Sequence, residues 1–291
     1  MTGACLSGRI VYAAVLLIAS SGVPAEAQTP PSWPNWIDLA TWADISEEYR
    51  WQFSRCDREN RFRDYKLPMK DGRRTYYPCS SDKNSVSALR RSSPTRELPH
   101  GAIAFVSKLS VDLDGSWYAC NTPGKTDMCP TALMLRDEGG QIVPVSSDHV
   151  PYVVIPVAGP TREVSREFRE LTGVDQGDFG VVITPTEVIP VLVADGGPFP
   201  KLGEGSIALH RRLGRELCAK KDVQGRCLSI KRPLSSHPGP LVTVLFPKSR
   251  RKDLKARNAT ELVEQEGERL WRLVRGSTRH SSELKSDNES H

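Results

Sequence analysis

Asp195 and Glu204 are the two residues of this chain best placed to do chemistry together. Asp195 follows the apolar run Val188-Ile-Pro-Val-Leu-Val-Ala194, and Glu204 precedes Ser206-Ile-Ala-Leu-His210. Between them lie Gly196, Gly197, Pro198, Pro200 and Gly203. The pattern reads as a strand, a turn and a helix start, with one carboxylate at each junction. Hydrolysis of a glycosidic bond needs two such groups. One carboxylic acid protonates the leaving oxygen, and a second carboxylate activates water or attacks directly. Residue type alone also fits a plainer role. Asp-Gly is a common turn dipeptide, and a helix start favours glutamate through its dipole. The same dipole opposes acid catalysis, because it stabilises the ionised carboxylate. For Glu204 to hold a proton, burial by Phe199 and Leu202 or the charge of Asp195 must outweigh it.

The elements that would position this pair are mostly short strands. Gly101 to Asp112 is rich in β-branched and aromatic residues and runs into Asp114-Gly115-Ser-Trp117-Tyr118. Val150 to Pro156 is a compact apolar strand bounded by prolines. Residues 178–183 and 188–193 are two more, and the turn at Thr184-Pro-Thr-Glu187 makes them a hairpin. Leu241 to Phe246 is a last strand, ended by Pro247. Ser206 to Leu217 reads as the one core helix, with Ser206 as N-cap and Ile207, Leu209, Leu213 and Leu217 as its apolar face. Many short strands with one core helix indicate a mainly β, barrel-like domain.

The ends of the chain read differently. Arg9, the apolar run Ile10 to Ile18 and the small-x-small pattern Ala25-Glu-Ala27 form a secretory signal peptide over residues 1–27. The run is too short to span a bilayer, and no later segment is apolar enough to do so. Residues 28–58 carry Trp42, Ile45 and Tyr49 at helical spacing and predict an amphipathic N-terminal helix. Residues 248–291 read as a basic tail, partly disordered, with an exposed helix from Leu254 to Val274. Lys248, Arg250, Arg251, Lys252, Arg269, Arg272, Arg275 and Arg279 concentrate base there, although the net charge is only +5. Nucleic-acid binding is not expected, since no recognised motif accompanies that charge in an exported chain.

Signal cleavage would remove Cys5 and leave six cysteines. An even set in an exported chain suggests disulfides. Sequential pairing, Cys56–Cys79, Cys120–Cys129 and Cys218–Cys227, closes three short loops rich in polar, Gly or Pro residues. Spacing alone leaves the connectivity open. Cys-x-x-Cys and paired-His spacings are missing, so no metal or other cofactor is expected.

Four segments, in order, resemble glycoside hydrolase family 75, the fungal-type chitosanases. They are Phe105-Val-Ser-Lys-Leu-Ser-Val-Asp112-Leu-Asp114-Gly115-Ser, Val150-Pro-Tyr152-Val-Val-Ile-Pro156, Gly177-Asp178-Phe-Gly-Val-Val and Val191-Leu-Val-Ala-Asp195 through Gly203-Glu204-Gly-Ser206-Ile-Ala-Leu209. The likeness covers residues 100–217 and extends over about 60–247. It implies a double-psi type of β-barrel over 59–247 and cleavage of β-1,4-linked glucosamine polymer, chitosan, with inversion. It also implies that Asp195 and Glu204 are the catalytic pair. Gly205 stands where the family has an alanine. A chitosan chain carries ammonium groups, so carboxylates should line its site. Asp112, Asp114 and Asp178 are candidates, and Tyr152 could stack on a sugar ring, hydrogen-bond to it or pack in the core. Glu204 is read as proton donor, Asp195 as the base that activates water, and His210 as a surface residue. The alternatives are a barrel that binds polysaccharide at the cell surface without cleaving it, or a hydrolase of another amino-sugar polymer such as peptidoglycan glycan. The oligomeric state is left open.

Overall fold

The structure is a computed structural model, and it describes residues 61–68, 74–78, 96–97, 99–122, 129–159, 161–184, 186–198, 202–234 and 236–288. The signal peptide, the helix expected in 28–58 and the Cys56–Cys79 bridge lie outside the described residues.

Most of the elements are strands. A first hairpin, β1 (Arg61–Pro68) with β2 (Arg74–Pro78), forms its own small sheet. The main sheet uses β3 (Arg96–Glu97), β4 (Ile103–Asp112), β7 (Tyr152–Ala158), β8 (Phe179–Ile183), β9 (Val188–Pro198), β10 (Glu204–Ser206) and β13 (His237–Phe246). Between β4 and β7 come α1 (Trp117–Asn121) and the antiparallel pair β5 (Met134–Arg136) and β6 (Ile142–Pro144). Helix α2 (Arg162–Thr172) separates β7 from β8, and α3 (Ile207–Arg212) follows β10 directly. A hairpin of β11 (Cys218–Lys221) and β12 (Cys227–Ile230) precedes β13, and α4 (Ala259–Asn288) ends the fold.

The seven strands lie in the order β10-β7-β9-β8-β13-β4-β3, and β10 pairs with β4 as well as β7. The sheet therefore curls until β10, at one end, pairs through its three residues with β4, one strand in from the other end. Two of the pairings, β7 with β9 and β10 with β4, are parallel. Parallel neighbours need long crossovers, and α2 with β8 supplies the one between β7 and β9.

Such strands are buried on both faces, which is why they read as continuous apolar runs. Along β9, Leu192 and Ala194 join Tyr152, Val154, Phe179 and Val181 in one cluster. Ile189, Val191 and Val193 join Val153, Ile155, Val182 and Phe105 in the other. The β8–β9 hairpin forms as the sequence indicates, closed by Thr184 N–H donating to the Glu187 carbonyl at 2.8 Å.

The C-terminal segment is not an exposed helix. Ala259, Leu262, Val263, Trp271 and Val274 of α4 are buried in the cluster that holds Leu192 and Phe179. Their spacing is one helical stripe laid on the outer surface of β8 and β9. Part of the base assigned to a solvated tail is paired with acid. Buried Glu266 holds Arg251 at 2.9 Å and Arg269 at 2.7 Å, Arg272 meets Glu268, and Glu264 meets Arg212 of α3. None of the described helices is long and apolar enough to cross a membrane.

Both testable disulfides form: Cys120–Cys129 closes the loop after α1, and Cys218–Cys227 ties β11 to β12. Disulfides of this kind persist in oxidising compartments.

Trp271→Ala will discriminate a structural α4 from a solvated tail. Removing a buried Trp side chain costs about 3–5 kcal/mol, whereas an exposed substitution stays within about 0.5 kcal/mol. Chemical denaturation of the variant against the parent measures the difference.

Candidate active site

Asp112 is the last residue of β4, and the chain turns immediately through Asp114 and Gly115 into α1. Ser116 caps that helix by accepting from Ala119 N–H at 3.0 Å. The turn folds Asp114 N–H back onto Asp112 Oδ1 at 3.0 Å. Tyr152 opens β7, and its hydroxyl lies 3.1 Å from Asp112 Oδ2 and 2.7 Å from the Asp114 carbonyl oxygen. The Tyr152 ring is fully enclosed in the core. It stacks on no ligand; it packs beneath the site and presents its hydroxyl upward to the β4 turn.

Asp195 comes from β9, and its placement depends on an irregularity in the β7–β9 register. Val153 pairs with Val193, but Val154 pairs with Asp195, so Ala194 is an extra residue. This is a β-bulge, an uncommon event in a parallel pair. Strict alternation would send Asp195 to the Val193 side of the sheet. Opposite Val154, it shares the face of Tyr152 and Asp112 instead. Its Oδ1 accepts two backbone N–H groups, Ala132 at 2.7 Å and Gly196 at 2.7 Å. Leu133 N–H also donates to the Ala194 carbonyl at 2.9 Å, so the 131–133 segment clamps the bulge.

Asp195 does not end a strand, because β9 runs on through Gly196 and Gly197 to Pro198. Glu204 does not begin a helix. It lies in β10, opposite Ser110 of β4, while α3 starts only after Ser206. The dipole that would oppose a proton on Glu204 is therefore not at its position. Gly197 leaves room for this side chain: a Cβ there would lie 3.3 Å from Glu204 Oε2.

Ser206 fixes the geometry from below. Its hydroxyl accepts from Tyr152 N–H at 3.0 Å and from Leu209 N–H at 3.1 Å, and donates to the Val150 carbonyl at 2.9 Å. One buried side chain thus joins β7, β10 and the N-cap of α3. Gly205 sits in the same tight place. A Cβ would come within 2.8 Å of both the Tyr152 carbonyl oxygen and Leu209, so this chain has no room for the alanine.

Carboxylate oxygens of Asp112, Asp114 and Asp195 all lie within 4.8 Å of one another. Burial is the main reason the Asp112 carboxyl is held well above the ordinary aspartate range; Glu204, Asp195 and Asp114 add like-charge repulsion. Burial also raises Asp195, opposed by its N–H donors from Ala132 and Gly196 and by hydrogen bonds from the Asp112 and Asp114 side chains. Burial raises the Tyr152 hydroxyl too, with Asp112 next. The group therefore retains protons that isolated aspartates would have lost. It is equipped for general acid–base work.

Asp178 stands apart from this group. Its carboxylate accepts Asp175 N–H at 2.9 Å, Lys248 N–H at 3.1 Å and Arg250 N–H at 3.0 Å. It ties the start of β8 to the loop after β13. His210 is not at the surface. It is fully buried on α3, and its Nε2–H donates to the Ser110 carbonyl at 3.1 Å, beside Glu204 in the sheet. Local pattern carries no sign of the Ala132 amide, the Ser206 knot or the bulge, since each depends on contacts between distant segments.

No protein-family model matches the chain, and no curated protein matches it.

Burial lowers the His210 pKa to about 4, with Arg215 and His237 adding positive charge nearby. The unfolded chain takes up this proton near pH 6.5 and the native protein does not. Stability from this residue is complete above that pH and is lost as pH falls toward 4. The loss amounts to about 3 kcal/mol. His210→Gln, which cannot charge, should show a shallower fall in stability between pH 7 and 4 than the parent, measured by urea unfolding at each pH.

Proposed function

We propose that the protein is a secreted endo-glycoside hydrolase that cleaves a β-1,4-linked glucosamine polymer, chitosan. The observation that carries this reading is the convergence of Asp195 and Glu204 on Asp112 from separate strands, in a place where burial and mutual repulsion retain a proton. Glycosidic cleavage needs one carboxyl in each protonation state, and two groups in unlike surroundings supply that. Asp195 has one oxygen fixed by two backbone N–H donors, which favours the ionised form at that oxygen. It serves as the base that activates water. Glu204 is half-buried at the mouth of the group and serves as the acid that protonates the leaving oxygen. The site's negative potential suits a polymer of ammonium-bearing sugars, and half-exposed Asp114 is the carboxylate nearest to offer a subsite.

The four-segment resemblance supports the same chemistry, with a double-psi arrangement of the curled sheet and inversion at the anomeric carbon. The disulfides accord with an exported protein, as the signal-like N-terminus indicates.

Asp195→Asn and Glu204→Gln should each reduce the release of reducing ends from chitosan by about 100-fold or more, while retention on a chitosan column survives. Full activity in either variant would overturn the assignment. A parent that binds chitosan and releases no reducing ends would favour the binding module. Preference for N-acetylated glycan across polymers of graded acetylation would move the substrate to peptidoglycan-like chains.

A further inference from the structure

Asp112 was a candidate to hold substrate, yet the residue is only 8% exposed. Its oxygens are already engaged. Oδ1 accepts the Asp114 amide, Oδ2 accepts Tyr152, and a carboxylate oxygen of Asp112 lies within 4.8 Å of one of Asp195. Buried carboxylates that close repel unless one carries a proton. Of the three aspartates, Asp112 is the one enclosed on its strand end, with Asp114, Asp195 and Glu204 all acting on it. Asp114 is half-exposed, and Asp195 has its Oδ1 saturated by backbone donors.

We propose that Asp112 is a positioning residue that carries the cluster's proton: oriented by the Tyr152 hydroxyl and the Asp114 amide, it donates to Asp195 and sets that carboxylate toward water. This rests on Asp195 being the base. The chain Tyr152, Asp112, Asp195 follows the logic of an oriented base, in which an outer group fixes the state and direction of an inner one. The titratable groups facing Asp112 are Asp114 from its own turn, Tyr152 from β7, Asp195 from β9 and Glu204 from β10. The three carboxylates disfavour a negative charge on it, whereas the Tyr152 hydroxyl donates to it. Asp112 touches no substrate atom in this scheme, which separates it from the reacting pair.

The test compares Asp112→Asn with Asp112→Leu in the full chain. An asparagine keeps the acceptor for the Asp114 amide and puts its NH2 at the Oδ2 position, where it can donate to Asp195 while the Tyr152 hydroxyl donates to the Asp114 carbonyl, so it imitates the protonated acid. It should keep kcat within about tenfold of the parent, leave KM unchanged and extend activity to higher pH, while leucine lowers kcat by about 100-fold through misplacement of Asp195. A second arm needs no turnover. A carboxyl whose native pKa is raised binds its proton more tightly folded than unfolded, so the stability it allows falls as pH rises. Asp112→Asn escapes that loss, and its melting-temperature gain over the parent should grow from pH 4 to pH 7. A raised KM for chitosan with unchanged kcat in Asp112→Asn would make Asp112 a substrate ligand and overturn the proposal. So would a melting difference that is flat with pH. If the parent cleaves no polymer, the hydrolase reading fails, and the melting arm still decides whether Asp112 holds the proton.

Discussion

Carboxyl groups held within 4.8 Å of one another in a largely buried cluster repel unless a proton stays between them. This constraint governs the carboxylate-bearing end of the molecule. Like charges at such range would drive the strand ends apart if each could swing to solvent. Asp112 and Asp195 cannot, because each is tied to backbone or core. Asp112 is held by its own turn and by Tyr152. Asp195 is held by Ala132 and Gly196. Repulsion that could have been relieved by movement is relieved by protonation instead.

The rest of the fold supplies the rigidity this requires. The same face of the sheet that carries Tyr152 and Asp195 is covered by α4, whose buried stripe packs over β8 and β9. The other face is filled by Phe168 and Val164 of α2 together with Leu209 of α3. Ser206 binds β7 to α3, and β10 bridges β7 and β4. The strands that carry the carboxylates are therefore packed from both sides, which keeps the geometry of the cluster close to fixed.

Much of this architecture was legible in the sequence. β-branched runs marked β4, β7, β8, β9 and β13, Thr184 and Glu187 marked the hairpin turn, and Ser206 is the N-cap its position suggested. What local pattern could not convey was the long-range register. Gly196 and Gly197 read as a turn because glycine usually punctuates, yet β7 recruits them as strand on one edge of β9. The charges of α4 read as solvated because their partners lie outside the local window, as with Arg251 and Glu266. Asp178 looked available, although three amides from distant or neighbouring loops saturate it. Asp112 and Asp195 were visible as residue types, and their shared proton was not, since protonation follows from proximity across the sheet.

The extra residue at Ala194 has a hereditary consequence. Loss of a single codon there would bring Asp195 directly after Val193 and leave it opposite Val154, so the carboxylate would keep its face of the sheet. The same loss anywhere earlier in the strand would instead reverse the faces of the residues on one side of it. A change of chain length is therefore tolerated at Ala194 as at no other place along this strand, and length can drift there while the carboxylates stay together.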